Sequence, residues 1–178
     1  TDYLMESQRH LNIMGTITYT PRQKYRLRRE VKVPLGSEWP TFSLSWKHGL
    51  NEFSGTTALW KHFDMIKLGA SKRKEIGAFS ELYWLVRGGG FLNNSNVPFF
   101  DYFHFNTPQM PVMLSGTRDG FMLPKYYSLS TSEFFTEGHI KYTTPYLLLK
   151  LIPGLSNTLI REDLSASLLW SRYQNSYT

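Results

Sequence analysis

Three side chains in the last third of the chain are of types that can do chemistry. Glu133, Glu137 and His139 fall on alternate positions of a stretch with strand-like alternation, so a strand would present all three on one face. Two carboxylates and an imidazole are able to bind a divalent metal, and paired carboxylates are able to act as acid and base. Next-but-one residues of a strand are about 7 Å apart, however, and such mixed charges are also typical of the inner wall of a membrane barrel.

Other signatures of catalysis are missing from the sequence. His62 and Asp64 repeat the same short spacing and have the same weakness. The chain contains no cysteine, which excludes a thiolate nucleophile or metal ligand. It has no Gly-x-Ser-x-Gly elbow, phosphate-binding glycine loop or His-Glu-x-x-His helix. We therefore expect no catalytic residue, no metal site and no cofactor, and we do not expect an enzyme.

Residues 133–170 are the stretch that would position these side chains, and they indicate two long strands joined by an apolar turn. Phe134, Ile140 and Tyr142 alternate with the charged positions of the first strand. The turn, residues 144–157, is too apolar for a solvated loop and too interrupted by proline for a long helix. We expect it to lie at a periplasmic membrane interface or against a partner subunit. Its apolar members are Leu147, Leu148, Leu151 and Ile152.

The remaining sequence predicts further strands joined as hairpins. Strands are expected over residues 11–19, 25–33, 42–46, 57–69 and 76–87, with a basic turn at 71–74. The loop at residues 88–125 has room for one short strand at 99–105. The fold class is therefore predicted as all-β, an antiparallel meander of seven or eight strands that forms part of a transmembrane outer-membrane β-barrel.

Composition supports a membrane barrel over a soluble domain. Aromatic residues make up 16% of the 178 residues, as is usual for a barrel with aromatic girdles at both interfaces. The net charge of +6 also suits a soluble basic β-domain that binds nucleic acid or polysaccharide through Lys24, Arg26, Arg28 and Lys32, and this is the alternative. A soluble hydrolase with an unrecognised site is a third interpretation. The basic residues alternate with apolar ones instead of forming a block, which favours the barrel.

The alternation divides the candidate residues between two faces. The residues expected to face lipid are Phe42, Leu44, Trp46, Leu164, Leu168 and Trp170. The residues expected to face the lumen are Arg26, Arg28, Arg87, Glu133, Glu137, His139, Lys141, Arg161 and Asp163.

Three segments resemble a known family. These are residues 40–50, 127–139 and 149–155, the last running into Arg161-Glu162. They resemble Bacteroidota outer-membrane proteins of unassigned function, which have a carboxypeptidase-regulatory-like N-terminal domain and a barrel related to surface antigens and BamA-like assembly proteins. In BamA-like barrels a Val-Arg-Gly-aromatic motif on a long extracellular loop returns its arginine to the lumen. Residues 86–91 resemble that motif with two added glycines, which implies this role for Arg87.

The resemblance also implies a setting. The chain is expected to be one partial barrel domain, residues 1–178, in a bacterial outer membrane. Its expected role is non-enzymatic, in envelope biogenesis or in a larger outer-membrane complex. Its expected partners are outer-membrane lipid and other outer-membrane subunits, with no nucleic acid and no small-molecule substrate. If the long loop is extracellular, the turns at 34–40, 70–75 and 144–158 fall on the periplasmic side. Both ends read as cut from a longer protein, so that the segment does not close alone.

Overall fold

A computed structural model of the protein describes residues 9–53, 59–93, 97–106, 120–121, 130–145, 147–148, 151–152 and 160–172. Its strands are β1 (Arg9–Tyr19), β2 (Lys24–Arg28), β3 (Val31–Gly36), β4 (Thr41–Phe53), β5 (Leu59–Ile76), β6 (Ser80–Phe91), β7 (Phe135–Thr144) and β8 (Glu162–Ser171). One short 3-10 turn, Phe99–Asp101, lies between β6 and β7. The prediction of an all-β, antiparallel fold is confirmed.

Six strands form one antiparallel sheet in the order β1-β4-β5-β6-β7-β8. Within the described ranges β1 and β8 are its two edges, and no backbone ladder joins them, so the sheet is open. The connections from β1 to β4, β5 to β6 and β7 to β8 all leave from one end of the sheet. The long connection from β6 to β7 leaves from the other end.

The cross-strand register gives the sheet two chemically different faces. Leu44 lies opposite Ile17 on one side and Leu68 on the other, and Val86 lies opposite Ala70 and Gly138. Because paired residues share a face, these side chains form one continuous surface, here called the apolar face. The opposite surface, here called the polar face, carries Lys47, Lys67, Arg87, Glu137, His139, Lys141 and Asp163.

The predicted single strand over residues 25–33 is wrong. The chain instead turns back at Arg29 and Glu30, whose φ angles of +48° and +67° make a two-residue hairpin turn between β2 and β3. Tyr25, Leu27, Val31 and Val33 are all odd-numbered, so the apolar alternation of the sequence runs through the turn and made two strands look like one. The pairing of Leu27 with Lys32 and Arg26 with Val33 mixes apolar and basic residues on both faces of this hairpin.

Two other boundaries also differ from the prediction. The prediction of a basic turn at residues 71–74 is wrong, because β5 continues through these residues. The chain turns near Gly77, whose φ angle is +71°. The three glycines 88–90 belong to β6, so the long loop begins after Phe91 instead of at residue 88. Residues 99–105 form the 3-10 turn and a single bridge from Phe103 to Thr131 where a short strand had room.

The buried apolar side chains of the described residues lie on the polar face of the sheet or on the loop residues that pack against it. One cluster contains Phe63, Met65 and Phe91, and a second contains Phe105, Phe121 and Phe135. The ring of Phe63 is wholly buried and covers Gly49 on the neighbouring strand. Gly49 is therefore a position where the backbone must present no side chain.

We predict that Gly49→Ala destabilises the sheet, because the added methyl group would overlap the Phe63 ring and the Asn12 side chain. The expected loss of unfolding free energy is about 1–3 kcal/mol, as for overpacked cores. Urea unfolding followed by tryptophan fluorescence measures it. Gly15→Ala is the matched control, since an added Cβ there meets nothing within 4 Å. Equal stability of the two variants would contradict the packing described here.

Candidate functional site

The β6–β7 loop folds over the polar face and is anchored there by Asp101. This side chain is only 2% exposed, and its Oδ1 accepts hydrogen bonds from Lys47 Nζ at 2.6 Å and Asn12 Nδ2 at 3.0 Å. Nδ1 of His10 lies 3.2 Å from the other carboxylate oxygen. A buried carboxylate is stable only when it is paired and hydrogen-bonded. The contact with Lys47 therefore fixes the loop to β4, and the Asn12 contact fixes it to β1.

Phe103 is the second loop residue seated on this face. Its ring stacks on Phe135 of β7 with centroids 3.9 Å apart and planes 8° from parallel. Lys67 Nζ lies 5.5 Å and Arg87 Cζ 5.9 Å from its centroid, within cation–π range. Backbone hydrogen bonds of 2.9 and 3.1 Å join Phe103 to Thr131. The loop thus contributes an aromatic ring where the sheet contributes cations.

A charged network lies beside Phe103 across three strands. Arg87 of β6 pairs with Glu137 of β7, directly opposite it in register. The Glu137 side chain is 1% exposed, and its Oε2 lies 3.6 Å from His139 Nε2. His139 Nδ1 lies 2.9 Å from Ser167 Oγ of β8, and Phe121 packs 4.7 Å from the imidazole. The network ties β6, β7 and β8 together beneath the loop.

The three side chains first considered for chemistry do not all meet. Glu137 and His139 come together, but Glu133 precedes β7 and pairs with Arg172 Nε at 3.2 Å. In the described ranges no three His, Asp or Glu side chains are placed to hold a metal. Since Glu137 is already paired with Arg87, the arrangement is suited to joining strands and loop.

The other residues expected to face the lumen divide into two groups. Lys141 lies on the polar face and pairs with Asp163 at 2.9 Å, in a more exposed position than the Asp101 pair. Arg26 and Arg28 lie on the exposed hairpin and not on the six-stranded sheet. The predicted single strand is in fact two strands, β2 and β3, which pair only with each other. Arg161 is exposed and precedes β8.

The structure places Arg87, for which the resemblance implied a return from the long loop to the lumen, on the sheet instead of on the loop. Arg87 lies within β6, and its contact with Glu137 is between neighbouring strands. The residues that return from the loop to the sheet are Asp101 and Phe103, which the sequence reasoning missed. The signal was present as a single carboxylate within the aromatic run at residues 99–105, because an acid so placed must find a cation when buried.

A histidine of the loop contacts other residues of the loop. His104 Nδ1 lies 2.7 Å from Ser130 Oγ, and Phe99 packs against the imidazole at 5.4 Å. Burial lowers the pKa of His104 from its ordinary value. The ring is therefore neutral at pH 7, and the loop adds no cation at this point to the cationic polar face.

The six residues expected to face lipid all lie on the apolar face, exposed by between 41% and 76%. They are Phe42, Leu44, Trp46, Leu164, Leu168 and Trp170. In the apolar turn, Thr144 is buried at the end of β7, Pro145 and Leu147 are half-buried, and Leu148, Leu151 and Ile152 are exposed. Residues 146, 149–150 and 153–157 lie outside the described ranges. The backbone N–H groups of Leu147 and Leu148 donate to the Glu162 carboxylate at 3.2 and 2.8 Å. Among the described residues no helix is long and apolar enough to cross a membrane.

Comparison with known proteins places this two-faced sheet in a family. Residues 1–178 match the C-terminal domain of a family of unknown function, DUF5686. The chain belongs to this family. Searches of curated proteins and of solved structures gave no significant match. For this DUF5686 C-terminal domain, the candidate functional site is the polar face together with the loop that covers it.

We predict that Asp101→Asn loosens the loop, because it leaves the ammonium group of Lys47 largely buried without its counter-charge. The expected cost is about 3 kcal/mol, as for other buried ion pairs that lose one partner. Hydrogen exchange of residues 97–106 would rise, and limited proteolysis would cut the loop first.

Asp163→Asn is the matched control, because it also removes the acid of a Lys–Asp pair on the same face. Asp163 is 38% exposed, so its loss is expected to cost no more than about 1 kcal/mol. If both variants leave loop exchange unchanged, Asp101 does not hold the loop.

Proposed function

We propose that this DUF5686 C-terminal domain forms part of a β-barrel in a bacterial outer membrane, with its apolar face toward lipid and its polar face toward the interior. The observation that carries the proposal is the contrast between the two faces. On the described part of the apolar face no large hydrophobic side chain is buried, while both buried clusters lie on the polar face. Such an uncovered apolar surface marks a contact with a membrane or a partner.

The height of the apolar surface fits a bilayer. On β5 it is bounded by Asp64 and Lys72, which are about 26 Å apart along the strand at about 3.3 Å per residue. On β8 it is bounded by Glu162 and Arg172, about 33 Å apart by the same rise. With strands tilted by about 40°, these lengths become apolar heights of about 20 and 25 Å, close to the band of about 25 Å on outer-membrane barrels.

The surface relief of the apolar face also supports lipid as its cover. Small residues, among them Ala70, Gly88 and Gly138, leave three shallow grooves between the larger side chains. The grooves have volumes of about 540, 560 and 430 Å³ and an almost wholly apolar lining. Flexible acyl chains fill such irregular hollows without needing a matching protein surface.

The role we propose is that of a non-enzymatic scaffold, in envelope biogenesis or as one subunit of an outer-membrane complex. The titratable groups at the centre of the polar face are engaged in pairs, such as Arg87 with Glu137 and Lys47 with Asp101. These pairs hold the described loop residues in a fixed position inside the proposed barrel. Membership of a family of unknown function is compatible with this role and does not distinguish it from others.

A soluble domain that binds polyanions is the second candidate, and the exposed basic hairpin of β2 and β3 favours it. This candidate would require a protein layer over the apolar face. The two candidates therefore differ in what touches Leu164 and its neighbours on that face.

We predict that nitroxide labels on the apolar face contact lipid. The chain has no cysteine, so Leu164→Cys and Ser165→Cys each give a single labelling site, on adjacent residues of opposite faces. In vesicle-reconstituted protein, the label at 164 should respond to a lipid-soluble relaxant. The label at 165 should respond to an aqueous relaxant or be shielded from both. Ready access of the aqueous relaxant to position 164 would overturn the membrane proposal.

We also predict a depth-dependent cost for arginine on the apolar face of β5. Leu68 lies midway between Asp64 and Lys72 and is 60% exposed, so Leu68→Arg should destabilise the bilayer-embedded protein by about 2–4 kcal/mol. Ile76→Arg, on the same face beyond Lys72, should cost only about 0–1 kcal/mol. Urea titration in vesicles measures both, and equal small costs would indicate that water covers Leu68.

A further inference from the structure

The hairpin of β2 and β3 carries most of the chain's excess positive charge. Residues 22–38 contain six basic side chains and two acidic ones, so they account for four of the chain's six net charges. Every residue of both strands is exposed. The hairpin forms its own two-stranded sheet and has no ladder to the six-stranded sheet. It is therefore a projecting basic arm.

Only the base of the arm is neutralised. Lys24 donates a hydrogen bond to Glu38 at 2.7 Å, which lowers the pKa of that carboxyl, and Arg22 lies 5.9 Å from the Trp39 ring. Lys72 of β5 donates to the Glu38 carbonyl, which ties the base to the main sheet. In the described part of the chain no ion pair engages the outer bases, Arg26, Arg28, Arg29 and Lys32.

The turn at the tip of the arm places two charged residues in a backbone conformation that is unfavourable for residues with a side chain. Arg29 and Glu30 both have positive φ, where two-residue hairpin turns normally carry Asn-Gly or Asp-Gly. Side chains with a Cβ are strained in this region, and such strain clusters at binding sites. Arg29 and Glu30 have opposite charges, so the strained turn adds no net charge to the arm.

The arm also carries apolar side chains and adjoins the apolar face. Tyr25, Leu27 and Val31 are between 59% and 68% exposed, interleaved with the bases. The arm connects Tyr19 to Phe42, which both lie on the apolar face where it meets this end of the sheet. The exposed leucines Leu148 and Leu151 belong to the β7–β8 turn, which starts from the same end of the sheet. Basic and apolar side chains mixed at the margin of a membrane surface match the chemistry of a headgroup layer.

We propose that the β2–β3 hairpin docks on anionic phospholipid headgroups of the leaflet at this end of the sheet. Arg26, Arg28 and Lys32 bind the phosphate groups, and the interleaved apolar side chains enter the layer beneath them. Charge complementarity and continuity with the apolar face select lipid over a soluble polyanion. This inference rests on the proposed membrane location and adds the class of lipid that the domain recognises.

The test uses full-length reconstituted chain with a nitroxide at Leu27→Cys. Vesicles contain phosphatidylcholine alone or phosphatidylcholine mixed with phosphatidylglycerol. In mixed vesicles the label should be immobilised and shielded from an aqueous relaxant, and added salt should release it. Replacing Arg26, Arg28 and Lys32 by glutamine should lower the ratio of docked to free arm by about fivefold per base, or roughly a hundredfold in total.

Two control variants separate charge from shape. Arg26→Lys with Arg28→Lys keeps the charge and should keep docking. Arg29→Asn with Glu30→Gly leaves the net charge unchanged and relieves the turn, so it should dock through the remaining bases. If the glutamine variant disorders the arm, the salt titration of the unsubstituted arm still decides whether charge holds it.

The possible failures are distinguishable. A label at Leu164→Cys that reports lipid, with a free arm in both kinds of vesicle, would overturn the lipid-docking inference alone. Equal immobilisation in both kinds of vesicle would also overturn it, because charge would not matter. Immobilisation by added DNA with no response to phosphatidylglycerol would assign the arm to a soluble polyanion. A label at position 164 in water would overturn the inference together with the proposed function.

Discussion

Two carboxylates that lie almost wholly out of water, Asp101 and Glu137, constrain the polar face of this sheet. A buried charge costs several kcal/mol unless a counter-charge and hydrogen bonds compensate it. Glu137 meets this requirement within the sheet through Arg87. Asp101 meets it only when the loop lies on the sheet, because its cation, Lys47, belongs to β4. The position of the loop is therefore a consequence of electrostatics as much as of aromatic packing.

The strand alternation that places these charges on the polar face also determines the opposite surface. The neighbours of Arg87 in the chain are Val86 and Gly88, and those of Glu137 are Thr136 and Gly138. In a strand they must point the other way, so a polar face of this kind is coupled to an uncharged, mainly apolar reverse. The described loop residues Asp101, Phe103, Phe105 and Phe121 lie on the polar side of the sheet. Lipid is the cover we propose, because it requires no complementary protein layer.

Alternation in the sequence was enough to predict most of the sheet and the separation of its faces. Phe42, Leu44 and Trp46 share the predicted face, as do Glu137, His139 and Lys141 on the other. Predictions from alternation were wrong where a turn or cross-strand pairing determined the structure. The apolar alternation of residues 25–33 continues through the two-residue turn, so the hairpin was predicted as one strand. Lys72 and Lys74 look like turn residues, yet their backbones pair with Trp84 and Leu82 because strand pairing outweighs weak local propensity.

The loop was the hardest part to predict, because its structure depends on partners distant in sequence. Asp101 is 54 residues from Lys47 and 89 from Asn12. Neither distance leaves a local signature. A run of aromatic residues around one acid indicates a buried segment but does not say which cation it meets. The resemblance to BamA-like barrels gave no indication of Asp101, and Arg87, to which it pointed, lies within β6.

The two ends of the sheet differ in how their charged side chains are paired. At the loop end, charges and aromatic rings meet one another within the chain. At the other end, Arg26, Arg28, Arg29 and Lys32 project without ion pairs in the described structure, from a turn whose strained residues cost about 1–3 kcal/mol each. Self-repulsion among neighbouring bases adds to that cost. A chain gains nothing in folding from such an arrangement, so its benefit must come from contacts outside the chain. The hairpin end is therefore where recognition by this domain is best sought, and the loop end is where its own stability is concentrated.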